Sequence, residues 1–420
     1  MQLCIFEDNN YSRLYPLVYY RPVYDLFCGM KKLRNKILDA YYDIKYSLHC
    51  RSYLEDFVKT KNPGIEVNQI NDNECLLLNG RILAPINLGK IIPVKGEDKI
   101  YKSNDSVIAA RLSGKNLETV KKKLNDVLGI PDLDNMPVEE VNIPMIDYIW
   151  NLICSNGKEL ISDFQALVNQ NKINIKNNLQ GKIFEGVHLV EKNNIFIAEG
   201  GSIKPGVVLD ASEGPIYIDR NVKVFPNAVI EGPVYIGENS QIKSSATIYE
   251  NVTIGNTCKI GGEVEDTVFL PFSNKQHSGF IGHAYLGSWV NIGADTNCSD
   301  LKNNYGHVKA YVNGKEIDTK MQFLGIVMGD HSKTAINTMF NTGTTVGFSC
   351  NIFGAGFPDK YIPSFSWGGH ESIITYNVEK SIETAKIVLG RRKQEMDSHE
   401  ENLFRRIFDL TKNERIERGY

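Results

Sequence analysis

The sequence predicts an α/β layer followed by a parallel β-helix that ends in a helical tail. Three observations predict this. Residues 218, 224, 230, 236, 242, 248, 254 and 260 are Ile, Val, Ile, Ile, Ile, Ile, Ile and Ile. Four places after each comes Val222, Ala228, Val234, Ser240, Ala246, Val252, Cys258 or Val264, all small or β-branched. Short apolar runs alternate with helix-like spacing before this stretch, and helix-like spacing returns after residue 377.

A period of six fits neither a helix nor a simple strand. It is the spacing of a three-sided coil whose flat sides are one hexapeptide each. The aliphatic residue points inward, and the small one fits the narrow corner.

In chain order, Leu3-Cys4-Ile5-Phe6 reads as a buried strand followed by a turn at Glu7-Asp8-Asn9-Asn10. Residues 30–46 have the spacing of a helix. Cys75-Leu76-Leu77-Leu78 is a second strand, ending at Asn79-Gly80-Arg81. The alternation suggests a parallel sheet. Residues 115–126 and 139–169 read as helices bridging the halves. The expected domains are 1–135 (α/β), 136–182 (helical linker), 183–370 (β-helix) and 371–420 (helical tail). Ile197, Ile203 and Leu209 already keep the step, and Glu213-Gly214-Pro215 resets its phase. The rhythm lapses over 264–280 and 298–321, returning at Met328, Thr334, Phe340, Val346 and Ile352. Such lapses read as loops that build a site. Around Asn313-Gly314 the alternation predicts a projecting hairpin arm. The tail places Ile382, Ala385, Val388, Leu389, Leu403, Ile407 and Leu410 on an apolar stripe. That stripe caps the coil or meets another subunit, and its charged face is solvated.

Composition excludes several classes. With 420 residues, 42% hydrophobic and 23% charged, the chain has the balance of a soluble protein. A net charge of −3 argues against a nucleic-acid partner held by bulk charge. No apolar run nears the ~18 residues of a membrane span. The first ten residues lack a basic, then apolar, leader. Eight cysteines without a CxxC pair read as reduced thiols in a cytoplasm.

His277 lies at the first lapse, beside Lys275 and before Asn291-Ile292-Gly293-Ala294. A neutral imidazole suits removal of a proton from an attacking amine. Lys275 and Lys243 are candidates to hold an anionic group of the substrate. Alternatively, His277 and His283 are ligands of a metal, as in a β-helical zinc hydratase. His283 and His331 are further candidates in the same half.

These residues carry a resemblance. His277-Ser278-Gly279-Phe280-Ile281-Gly282 and Val290-Asn291-Ile292-Gly293-Ala294-Asp295 match, without a gap, segments of the bifunctional UDP-N-acetylglucosamine pyrophosphorylase/glucosamine-1-phosphate N-acetyltransferases. Asn304-Tyr305-Gly306 resembles a following Asn-Tyr-Asp-Gly across an insertion. Phe280 stands where that family has Tyr, and Glu265-Asp266 falls near an expected sugar-phosphate Lys. Arg13-Leu14-Tyr15-Pro16-Leu17 and Arg21-Pro22 are similar to the nucleotidyltransferase half, and Leu77-Leu78-Asn79-Gly80-Arg81 resembles its Leu-x-x-Gly-Asp. Its glycine-rich loop is replaced here by residues 6–12, and its Mg²⁺-holding Asp by Arg81. Residues 226–237 and 329–334 resemble hallmarks of a divergent bacterial group of sugar nucleotidyltransferase/hexapeptide acyltransferases.

The resemblance implies a left-handed β-helix, a homotrimer with sites between neighbouring coils, and acetyl-CoA as cosubstrate. It implies N-acetylation of an amino-sugar phosphate or nucleotide-amino-sugar. His277 is then the base, Lys243, Lys275, Asn291, Asn304 and Tyr305 hold the acceptor, and no metal is needed. A second reading is sugar-1-phosphate nucleotidyl transfer, with Arg13 and Arg21 on phosphates and Mg²⁺ required. A third is a non-catalytic sugar-nucleotide-binding scaffold.

Overall fold

The computed structural model describes residues 1–420 except 125–126, 129–135 and 175–176. The expected boundary at 135 and the end of the 115–126 helix lie outside the described residues.

A seven-stranded mixed sheet forms the first layer, in the order Glu66–Val67, Tyr46–Leu48, Gln2–Phe6, Glu74–Asn79, Ser106–Ser113, Lys99–Ser103, Val138–Glu140. Gln2–Phe6 runs parallel to both its neighbours, as the buried apolar run Leu3 to Phe6 suggests. Ser106–Ser113 is antiparallel to both of its own neighbours, so the sheet is not wholly parallel. Two helix expectations shrink. Within 30–46 only Leu33–Asp39 is α-helical, since Lys31–Lys32 pairs in a hairpin and Asp43 takes a positive φ before strand Tyr46–Leu48. Within 139–169 the helix is Ile149–Asn169, because Val138–Glu140 joins the sheet edge. That helix lies against the coil through Gly157, where a Cβ would fall 1.8 Å from Asn251 Oδ1. Glycine is what allows this approach.

The second layer is a coil of three parallel sheets. Ile236 pairs with Ile254, eighteen residues on, as three hexapeptides require. Ile218, Ile236, Ile254, Ile230, Ile248, Ile242 and Ile260 are fully buried in one continuous core. Each contributes roughly 1.5–3 kcal/mol by leaving water. Corners use residues at positive φ, including Asn221, Asn227, Asn239 and Asn251. Asn tolerates that region better than other side chains with a Cβ.

One expected lapse is absent. The coil runs straight through 264–280, with Glu263–Glu265, Val268–Phe269, Asn274–Lys275 and Phe280–Gly282 as its strands. The period was hidden because rungs shorten there, to fifteen residues between Lys259 and Asn274 and seventeen between Val268 and Tyr285. The second lapse is a true excursion, since Leu286 pairs directly with Met328. Its hairpin, Lys309–Val312 with Lys315–Asp318, does not project freely. Val308, Ala310 and Val312 are buried against Leu14, Leu17 and Leu83, and Asn313 Nδ2 donates to Ser12 Oγ at 3.1 Å. The arm is thus folded back onto the first layer.

The tail forms helices Val378–Gly390, Ser398–Leu410 and Lys412–Glu417. Its stripe, Ile382, Ala385, Leu403, Phe404 and Ile407, packs with Tyr20 and Phe57 of the first layer and Phe348 and Phe365 of the coil. The tail therefore bridges both halves. Among the described residues no helix is long and apolar enough to cross a membrane.

Candidate functional site

Along one side of the coil, successive rungs stack Gln241, Lys259, Asn274, Asn291, Lys333 and Asn351 in one column. Strand alternation turns these outward and turns Ile242, Ile260, Lys275, Thr334 and Ile352 inward. His277 stands two residues beyond Lys275, at the corner that leads into Phe280–Gly282, with its imidazole exposed. The Ser278 hydroxyl bonds Asp295 and the Phe280 N–H donates to Asn297 Oδ1 at 2.8 Å, fixing that corner. Asn291 is exposed and lies one rung beyond Asn274. Lys243 is half-buried two rungs before, its ammonium 4.9 Å from the Phe225 ring. Asn291 and Lys243 thus lie on the side of the coil that leads to the His277 corner, one rung beyond it and two rungs before it respectively.

Lys275 corrects an expectation. It is 1% exposed, and its ammonium donates to the carbonyls of Gly261 at 2.8 Å and His277 at 3.1 Å. Burial pushes its pKa down to about 8. An inward position cannot offer it to a substrate, so Lys275 braces the corner that carries His277. Asn304 and Tyr305 also lie elsewhere. Both are exposed in the excursion, beyond strand Asn297–Cys298, where Asn304 Oδ1 accepts from the Gly306 N–H at 3.1 Å. His277 precedes the strand paired with that one, so within one chain they occupy opposite ends of the side.

His283 follows Phe280–Gly282, whereas His277 precedes it, so the two do not converge on one ion. Asp300 Oδ2 instead accepts from His283 Nδ1 at 2.8 Å, and His283 Nε2 lies 3.6 Å from Asp266. Glu265, Asp266 and His283 place ligand atoms within 4.8 Å of one another, a trio that offers donors for a cation. Burial disfavours the charged imidazole, yet the Asp300 hydrogen bond and the Asp266 charge outweigh it and raise its pKa. His331 is different. It is buried among Tyr20, Trp289, Phe348 and Phe404, with both ring nitrogens unpartnered, and burial holds its pKa well below the usual value.

In the first layer, the chain moves from Gln2–Phe6 out to one side and returns on the other at Glu74–Asn79. Ligands of open α/β sheets bind at the carboxyl ends of such a strand pair. Here those ends are filled by matched charges. Arg81, fully buried, reaches Asp8 at 2.6 Å and Asp147 at 2.8 Å. Arg51 clasps buried Glu7 through Nε at 3.0 Å and Nη2 at 3.2 Å. A Mg²⁺ ion does not fit this donor set, because both nearby carboxylates are already engaged by the Arg81 guanidinium and Arg13 supplies a second positive charge beside Asp147. Arg13 is partly exposed, 3.8 Å from Asp147. Arg21, expected on a phosphate, is buried. It forms an ion pair with fully buried Asp330 of the coil and donates to Ser288 Oγ at 3.2 Å.

Sequence reasoning missed four cations: Lys259 and Lys333 in the column, and Arg391 and Arg392 beside it. Lys333 stood in a quoted motif without a role, and the two arginines belong to a face read as solvated.

Residues 3–172 match the sequence model of a family described as sugar nucleotidyl transferase. Over 97 residues the chain is 32% identical to a bifunctional sugar-1-phosphate nucleotidylyltransferase/acetyltransferase of Sulfurisphaera tokodaii, covering 23% of this chain and 24% of that one. Over 293 residues it is 24% identical to the bifunctional protein GlmU of Wigglesworthia glossinidia brevipalpis, covering 69% of this chain and 58% of that relative. The chain thus spans about a quarter of the first relative's length and somewhat over half of the second's. A solved UDP-N-acetylglucosamine acyltransferase, LpxA from Bacteroides fragilis, aligns at 16% identity and a TM-score of 0.24, covering 50% of this chain and 77% of that one.

Proposed function

We propose, for a low-identity relative of the bifunctional sugar-1-phosphate nucleotidylyltransferase/acetyltransferases, that the chain N-acetylates an amino-sugar phosphate or nucleotide-amino-sugar. Acetyl-CoA is the donor. The observation that carries this reading is His277: an exposed imidazole on a braced coil corner, on the side of the coil that also carries Asn291 one rung on and Lys243 two rungs before. The bifunctional sugar-1-phosphate nucleotidylyltransferase/acetyltransferase relative supports the reaction class.

In this reading His277 takes a proton from the acceptor amine as its nitrogen attacks the thioester carbonyl. The carbon–sulfur bond breaks, the proton passes to the departing thiolate, and the products are the amide and free CoA. Main-chain N–H groups of the coil corner stabilise the oxyanion, and Asn291 and Lys243 orient the acceptor. A homotrimer, with sites between neighbouring coils, brings Tyr305 and Asn304 of one subunit toward His277 of another. The enzyme works in a cytoplasm, where its eight free cysteines stay reduced.

The test is acetyl-CoA-dependent turnover over a panel of amino-sugar phosphates and nucleotide-amino-sugars. His277→Ala lowers kcat about 10²–10⁴-fold with KM little changed. Undiminished turnover by that variant removes the assignment. Nucleotidyl transfer remains the second reading, favoured by the match over residues 3–172. It requires Mg²⁺-dependent pyrophosphate release from a sugar 1-phosphate and a nucleoside triphosphate, which the Arg81 ion pairs oppose.

A further inference from the structure

A groove of about 260 Å³ lies between the outward column of the coil and the C-terminal end of helix Val378–Gly390. Four cations converge on it. Lys259 and Lys333 come from the column, Arg391 and Arg392 from the helix end, with Asn274 and Asn291 between. No Asp or Glu is among the described residues that line it. Arg392 is anchored to Asn274 Oδ1 at 3.0 Å, and the Lys333 ammonium donates to the His331 carbonyl at 2.8 Å. These partners are neutral. The charges acting on Lys259 are all positive, from Arg392, Lys243 and Arg391, and with burial they lower its pKa.

Two rival explanations fall short. Cations are favourable near a helix C-terminus, which accounts for Arg391 and Arg392 but not for two lysines from another element. Solvated charge is the usual fate of surface lysines, yet Lys333 is buried enough for its pKa to fall to about 8. A neighbouring cavity of about 310 Å³ supplies the control. It shares the Phe272–Trp289 wall and also carries several cations, but each has an acid: Arg34 on Asp25 at 2.8 Å, Lys61 on Glu400 at 3.1 Å, Arg21 on Asp330. Of these two cavities, the groove is the one whose cations have no acid among the described residues that line it.

Lys259 and Lys333 are three strand steps apart, ~14 Å, so the positive strip reaches over more than one phosphate. Phe272 stacks on Trp289 at 4.2 Å and 5°, a flat aromatic wall along the same groove. An aromatic ring beside a row of cations matches a nucleobase beside its phosphates.

We propose that this groove is a binding site for the phosphates of a nucleotide, held by Lys259, Lys333, Arg391 and Arg392. Two ligands share that chemistry, a nucleoside diphosphate bearing the sugar and the adenosine phosphates of CoA. Gln276 lines the groove and precedes His277, so bound phosphates lie next to the proposed base. That placement rests on the acyl-transfer reading, whereas anion binding itself does not.

The test is calorimetric titration of the full chain with CoA, 3′-dephospho-CoA, UDP and inorganic pyrophosphate, over a range of salt. Wild type binds at least one nucleotide probe, more weakly as salt rises. Tighter binding of CoA than of its dephospho form and of UDP assigns the groove to the donor, and the reverse order assigns it to the sugar nucleotide. Lys259→Gln/Arg392→Gln and, separately, Lys333→Met each weaken binding tenfold or more while circular dichroism shows the fold retained. Equal binding by wild type and by both variants overturns the proposal, as does no binding of any probe at millimolar concentration. His277→Ala separates the two readings: full turnover with intact nucleotide binding sinks the acyl-transfer reading and leaves the groove standing.

Discussion

The strand-end crevice of the first layer and the groove of the coil are both rich in charge, and they differ in how that charge is matched. In the crevice, Glu7 meets Arg51, Asp8 and Asp147 meet Arg81, and Arg13 stands 3.8 Å from Asp147, with most of these groups shut from water. In the groove, Lys333 and Arg392 donate to neutral oxygens, Lys259 faces Arg391 and Arg392, and no acid is among the described lining residues. A crevice that balances itself has no electrostatic need for a ligand. A groove that leaves cations unmatched gains by taking an anion. The half that matches a sugar nucleotidyl transferase family and the half proposed to hold nucleotide phosphates are thus different halves of this chain.

Substitution breaks the comparison most sharply in the crevice. Arg51→Ala leaves the Glu7 carboxylate buried without its partner and destabilises the protein by about 3–5 kcal/mol, read from the denaturant midpoint at unchanged slope. A loss below about 1 kcal/mol would mean that water already reaches Glu7.

An intermediate effect comes from Lys275, the inward lysine of the coil. Its pKa falls from 10.5 to about 8 on folding. Between those values the unfolded chain binds more protons than the folded one, so stability rises with pH across that window. Below about pH 8 both states hold the proton and the contribution becomes flat. Lys275→Met removes this part of the rise when unfolding free energy is measured from pH 7 to 10. An identical slope in wild type and variant would show that the ammonium is solvated.

The smallest effect belongs to the groove. Arg391→Gln changes stability by no more than about 0.5 kcal/mol, on the stabilising side at low salt, because it relieves repulsion from Lys259. Destabilisation beyond 1 kcal/mol would indicate a hidden partner for Arg391 and remove the contrast with Arg51.

What the sequence disclosed followed from local period. The Ile columns were legible because every rung from 218 to 260 repeats one inward position. The rungs around Lys275 were not, since shortened turns and an inward lysine broke the period while the backbone coil continued. The ungapped spacing of His277 and Asn291 reads as two consecutive rungs, and Asn291 does pair one rung beyond Asn274. Arg21 was misread because its partner, Asp330, is 309 residues away and no local pattern announces it. Arg391 and Arg392 were unreadable for the same reason: where the tail rests is decided by Ile382, Leu403 and Phe404 meeting aromatics from both halves.

Those long-range contacts bear on how the chain is made. Arg21 leaves the ribosome 309 residues ahead of Asp330, and Tyr20 leaves 380 residues ahead of Glu400, whose carboxylate its hydroxyl bonds. At ordinary synthesis rates the first of these waits lasts roughly 15–60 s. Throughout that interval the surface destined for the coil and tail stands open to solvent, and only the chain's own C-terminal half closes it in the folded protein.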